Sequence, residues 1–162
     1  MLLIRVFSAL IFWFCTTITV IFCDTPANCT YENIVGFWTF YEGQRGFGSN
    51  LNCDDFPSAQ SGLRHYFRVE LLFPNLVVDE YGNTGQWTLI YNQGFEISIN
   101  YRKYFAFSNW SQSEHTVSSR CFETKTGWAH DAFIRDWSCF IGHRTDPALP
   151  NEVKKQKNFF TK

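Results

Sequence analysis

Between Leu63 and Phe73 the side chains alternate, with Tyr66, Arg68 and Glu70 on one side and Phe67, Val69 and Leu71 on the other. A period of two over this length predicts a half-buried β-strand. Leu76 to Asp79 extends or restarts it after Pro74. Gln86–Tyr91 and Phe95–Asn100 are separated by Asn92-Gln93-Gly94, a tight connection with a glycine available for positive φ, and this predicts a hairpin. In its second strand Phe95, Ile97 and Ile99 share one face while Glu96, Ser98 and Asn100 share the other. Ile34–Tyr41 is a further strand candidate. Arg102–Ser108 with Thr116–Phe122 reads as a hairpin joined by a polar tip, Asn109 to His115. Gly127–Ile134 with Asp136–Ile141 supplies a last pair. Glu42 to Gly62, dense in Gly, Asn, Asp, Ser and Pro, reads as a loop pinned by Cys53. About eight short strands with turn signals every eight to twelve residues or so predict an all-β barrel or sandwich. No helical stripe of useful length, repeat or low-complexity tract interrupts them.

Composition sharpens this picture. Aromatic residues make up 19% of the chain, suiting a pleated, half-buried surface. They could line a ligand cavity, but side chains of this volume are expected to fill a small barrel themselves. Residues 1–23 read as a signal peptide, with Arg5 preceding an apolar run from Val6 to Phe22. The run is long, so an uncleaved anchor is the competing reading. Cys23 at the cut and the cysteine-bearing domain that follows favour cleavage before Asp24, although Ile21 is not the small residue preferred there. The main domain is read as 24–145, and 146–162, lysine-rich and weakly apolar, as a linker or the start of another segment.

Net charge is −1 with no basic stripe, which excludes an electrostatic footprint for nucleic acid. Beyond the leader lie Cys29, Cys53, Cys121 and Cys139. In an exported chain these read as two disulfides, with three pairings open. Bridged cysteines leave no thiolate to act as a nucleophile. His65, His115, His130 and His143 lack the spacing of a zinc set, so no metal is expected. The acidic pairs Asp54-Asp55 and Asp79-Glu80 sit in loop-like stretches and read as solvated surface. No complete active site is legible, and no catalytic residue is assigned. Asn28-Cys29-Thr30 and Asn109-Trp110-Ser111 are acceptor sequences for N-glycans, at Asn28 and Asn109. Cleavage before Asp24 would leave its carboxylate beside a free α-amino group, on an arm that Cys29 could anchor.

Several strings are more specific than any pattern: DTPANCTY (24–31), GNTGQWTLIYNQGFEI (82–97), YFAFSNW (104–110), CFETKTGWAHDAF (121–133) and DWSCFIG (136–142). They resemble the exclusion domain of cathepsin C, also called dipeptidyl peptidase I. The resemblance runs from about Asp24 to Gly142 with small insertions, and it extends to the spacing of the four cysteines. It implies an eight-stranded antiparallel up-and-down β-barrel with an aromatic core, and disulfides Cys29–Cys121 and Cys53–Cys139.

The resemblance also implies a role. The family is a lysosomal, papain-type cysteine peptidase that removes dipeptides from free N-termini. Its exclusion domain blocks the cleft beyond the second subsite, and the carboxylate of its N-terminal Asp, here Asp24, pairs with the substrate's α-amino group. The polar tip, Asn109 to Arg120, resembles the projection that walls off the cleft. The implied partners are a papain-like catalytic chain and peptide N-termini, in a homotetramer once the enzyme is assembled, on a lysosomal or extracellular route. The family's catalytic Cys, His and Asn and its bound chloride belong to a papain-like domain without a counterpart in these 162 residues. The residues up to Lys162 resemble the beginning of the activation peptide. No cofactor is expected in this chain, and alone it is expected to hydrolyse nothing. A family glycosylation site is missing, since Asn52-Cys53-Asp54 lacks the hydroxyl residue, and Phe122 follows Cys121 in place of an asparagine. Two alternatives stand beside the exclusion-domain reading: a stand-alone secreted barrel that binds a papain-type peptidase in trans, and one that binds an apolar ligand.

Overall fold

The computed structural model describes residues 25–48, 51–54, 56, 65–114 and 116–147. The leader, Asp24 and the tail from 148 lie outside the described residues. One helical turn, α1 (Tyr31–Ile34), precedes ten strands: β1 (Gly36–Glu42), β2 (Gly46–Phe47), β3 (His65–Leu72), β4 (Leu76–Asp79), β5 (Thr84–Ile90), β6 (Gly94–Ile99), β7 (Arg102–Gln112), β8 (Val117–Thr124), β9 (Gly127–Asp131) and β10 (Asp136–Pro147).

Eight of them close a ring in the order β1, β3, β4, β5, β6, β7, β9, β10, with β10 pairing back onto β1; the ring pairings are all antiparallel. Closure leaves no open edge in the ring, the usual hazard of a β-sheet. Of the remaining two, β2 is a short addition to β10. Strand β8 pairs with the outer part of β7 from Ser108 to Gln112, so that these two strands leave the barrel as a ribbon. A register shift between Ser108 and Asn109 marks where β7 passes from the barrel into the ribbon.

The interior is filled by the predicted alternating residues. Trp38, Phe40, Val69, Leu71, Trp87, Phe95, Ile97, Ile99 and Phe140 are buried. Trp38 stacks on Phe40 at 5.9 Å between ring centroids, and Phe95 and Phe140 meet these rings edge-on. Burying each such side chain contributes about 2–3 kcal/mol. The two buried indoles satisfy their N–H groups at the backbone: Trp38 donates to the Ile34 carbonyl at 2.7 Å and Trp87 to the Leu72 carbonyl at 2.8 Å. Gly94 and Gly127 let β6 and β9 press against β7. A Cβ on either would come within 2.3 Å of a β7 carbonyl oxygen.

The disulfides join Cys29 to Cys121 and Cys53 to Cys139, the pairing implied by the family resemblance. Several boundaries differ from those expected. The polar tip is shorter, because β7 continues from Ser108 to Gln112 and β8 runs from Val117 to Thr124. Strand β10 continues past Ile141 because its second half pairs with β1. The last hairpin's first strand stops at Asp131, where a turn takes Ala132 to Arg135.

Candidate functional site

Turns and chain segments gather at the two ends of the barrel. One end carries the segment before β1, the β3–β4 turn, the β5–β6 turn and the β7–β8 ribbon. Here residues 25–30 form an extended arm. The Cys29 N–H donates to the Asn92 carbonyl at 2.6 Å, and the Asn92 side-chain amide donates to Asn28 Oδ1 at 3.3 Å. On the other side the Asn28 N–H donates to Ser119 Oγ at 2.9 Å, while Cys29 is bonded covalently to Cys121 of β8. Ala27 is buried. The arm is thus laced between the β5–β6 turn and the ribbon.

The exit of the arm is fixed by the residues just after it. The Asn33 side chain accepts hydrogen bonds from the N–H and hydroxyl of Thr30, and these start α1. Tyr31 packs against Phe73 and Trp87 at 5.5 and 5.3 Å, seating the turn on the barrel end. Arg144 of β10 donates to the Asn33 carbonyl. Thr25 is the first described residue of the arm, and Asp24 precedes it outside the described residues.

The two acceptor asparagines differ in setting. Asn28 is exposed. Asn109 is half-buried at the root of the ribbon, donating from Nδ2 to Glu123 Oε2 at 2.8 Å and accepting the Trp110 N–H at Oδ1. The ribbon closes over Ser113 and Thr116, whose backbone and hydroxyl groups bond each other. His115 lies outside the described residues. Among the described residues no group of three or more His, Cys, Asp or Glu could hold a metal ion.

The opposite end carries polar features that the sequence did not single out. Glu42 is fully buried and accepts from Arg102 Nη2 at 2.8 Å, Ser138 Oγ at 2.5 Å and the Arg45 guanidinium at 3.1 and 3.2 Å. Arg102 also donates to Asp136 at 2.9 Å. The beginning and end of the chain's barrel strands are tied together by these charges. Burial pushes the neighbouring Tyr104 phenol up to about 12, with the Glu42 charge adding to the effect. Asp79 closes the β4–β5 turn. Burial opposes its charge, but hydrogen bonds from the side chains of Asn83 and Asn100 and from the N–H groups of Asn83 and Tyr81 outweigh burial and hold its carboxyl below the usual range. An open groove of about 940 Å³ lies on this side, between Asn83, Ser98, Tyr101, Lys103, His130 and Ile134. None of these groups makes a nucleophile with an adjacent base, so the chemistry this end offers is packing and ion pairing.

Comparison with known proteins converges on one family. Residues 24–144 match the family model of the cathepsin C exclusion domain. Over 122 residues the chain is 42% identical to cathepsin C of Schistosoma mansoni, an alignment covering 74% of this chain and 24% of that protein. The chain therefore spans about a quarter of the length of this curated relative.

Proposed function

The chain belongs to the cathepsin C exclusion-domain family, and from that premise we propose that it is the non-catalytic specificity domain of a dipeptidyl peptidase I-like cysteine exopeptidase. It lies across a papain-type cleft, blocks it beyond the second subsite, and binds the substrate's α-amino group through the carboxylate of a mature N-terminal Asp24. The catalytic nucleophile, and chloride where the enzyme uses it, belong to the partner domain. The assembly follows the secretory pathway to the lysosome or the cell exterior, as two disulfides suit.

The observation that carries this reading is the fixation of the arm. A terminus held by a disulfide, two backbone hydrogen bonds and a side-chain bond within two residues, Asn28 and Cys29, has little freedom left to lose when it meets a ligand. A charge-assisted hydrogen bond presented on such an arm is worth about 1.5–3 kcal/mol, roughly ten- to a hundredfold in selectivity. N-glycans on Asn28 and Asn109 fit beside it. A sugar on Asn109 leaves one N–H on that nitrogen, enough to keep the Glu123 hydrogen bond.

The test uses the chain assembled with a cathepsin C catalytic domain. Asp24→Asn is expected to lower kcat/KM on free-amino dipeptide amides by ten- to a hundredfold and to leave acetylated analogues unaffected. Unchanged preference for the free amine in this variant rejects the amino-group role of Asp24.

A further inference from the structure

Tyr91 stands at the apex of the β5–β6 turn with 89% of its surface exposed and a backbone φ of 48°. Both features are unfavourable for this residue. A left-handed backbone crowds the Cβ of any L-residue and suits Gly, Asn or Asp. An aromatic ring in water gives up the burial that makes such rings stabilising elsewhere in the barrel. A large side chain kept in a sparsely populated backbone region points toward function.

The turn that carries Tyr91 is held from both sides. Asn92, the next residue, accepts the Cys29 N–H at 2.6 Å and donates to Asn28. Gln93 accepts the N–H of Ser108 at 2.8 Å, tying the turn to β7. The ring is therefore presented from a fixed base beside the arm. Thr25 lies four residues before Cys29, no more than about 14 Å away along an extended chain. A dipeptide spans about 7 Å, so one bound peptide end can be reached from both the arm and the turn.

We infer that Tyr91 is a specificity residue of the amino-terminal site, its ring covering the first side chains of a bound peptide while the arm takes the amino group. This rests on the reading of the arm proposed above. A ring in this position favours substrates with bulky apolar residues in their first two positions and is indifferent to glycine there.

The experiment compares wild type, Tyr91→Ala and Tyr91→Phe in the chain assembled with a cathepsin C catalytic domain. Substrates are dipeptide amides with bulky apolar or glycine residues, each with a free and an acetylated amine. Tyr91→Ala is expected to lose about tenfold in kcat/KM on the bulky substrates, mainly through KM, with the glycine substrates unchanged. Tyr91→Phe should keep the wild-type profile. If wild type rejects acetylated substrates while Tyr91→Ala shows the wild-type profile, the Tyr91 role is overturned and the arm reading stands. If wild type accepts acetylated substrates, the arm reading falls and takes this inference with it. Melting of the unassembled chain separates a structural role. Tyr91→Asn should melt at the wild-type temperature or roughly 3 °C above it, as the backbone relaxes. A melting temperature several degrees lower assigns Tyr91 to the fold and overturns the inference.

Discussion

Glu42 lies at the end of β1 with none of its surface exposed, and two arginines and a serine supply the donors that water would otherwise give. Arg102 is the closer of the two cations and itself only 7% exposed. Removing one member of a buried pair leaves the other charge uncompensated, which costs about 3–5 kcal/mol. We predict that Arg102→Met destabilises the chain by that amount in urea denaturation. Replacing both residues with apolar ones should cost clearly less than the single change. A double variant as unstable as Arg102→Met would show that the cluster's cost and gain are misjudged. Asp79 gives a pH signature. Its folded-state pKa is depressed, so its contribution is fully present above the unfolded value near 4 and is lost as pH falls through the folded value. Stability is therefore expected to hold at pH 5 and to drop toward pH 3, and Asp79→Asn should flatten that drop in melting curves. A variant that loses stability over this range as steeply as wild type assigns the acid sensitivity to other groups.

Among the elements, the arm depends most on a single bond. Cys29 and Cys121 are 92 residues apart, and a loop of that length makes the disulfide worth about 4 kcal/mol. Replacing both with serine is predicted to lower stability by that order and to free the arm. Hydrogen exchange should then accelerate at Asn28 and Cys29 while β5 and β6 remain protected. Equal exchange at the arm with and without the bond would mean that Ser119 and Asn92 hold it alone. The strands that could be read from the sequence were those with one face in the core. Phe95, Ile97 and Ile99 alternate because β6 has a dry side, and the same holds for Phe67, Val69 and Leu71 in β3. The ribbon was hidden for the opposite reason. Ser111, Gln112 and Ser118 are exposed, so extended backbone there carries no apolar alternation and resembles a loop. Four residues of α1 are too few for a helical period, and only Thr30 with Asn33 hinted at its start. Glu42 continues the inward series of Trp38 and Phe40, but a carboxylate at that position gives no sign of the arginine that will meet it from 60 residues away. Likewise, the Asn28-Cys29 string identified the arm through resemblance, whereas its anchors Asn92 and Ser119 emerge only when distant strands come together.

At the scale of the whole molecule, the two barrel ends divide the labour. One end is locked by buried charge, and the other presents the arm and ribbon. A closed barrel with no open edge suits a rigid wall, since a wall must resist deformation when a peptide presses against it. The proposed function follows from this division. The chain does not cut; it decides where a partner can cut. The most direct test adds the purified chain, with its N-terminus at Asp24, to a separately produced cathepsin C catalytic domain. Cleavage is then followed at an internal bond of an N-acetylated peptide and at the second bond of a free-amino peptide. The account predicts that internal cleavage falls as the chain is added while dipeptide release persists or rises. Internal cleavage that proceeds unchanged at saturating chain would contradict it.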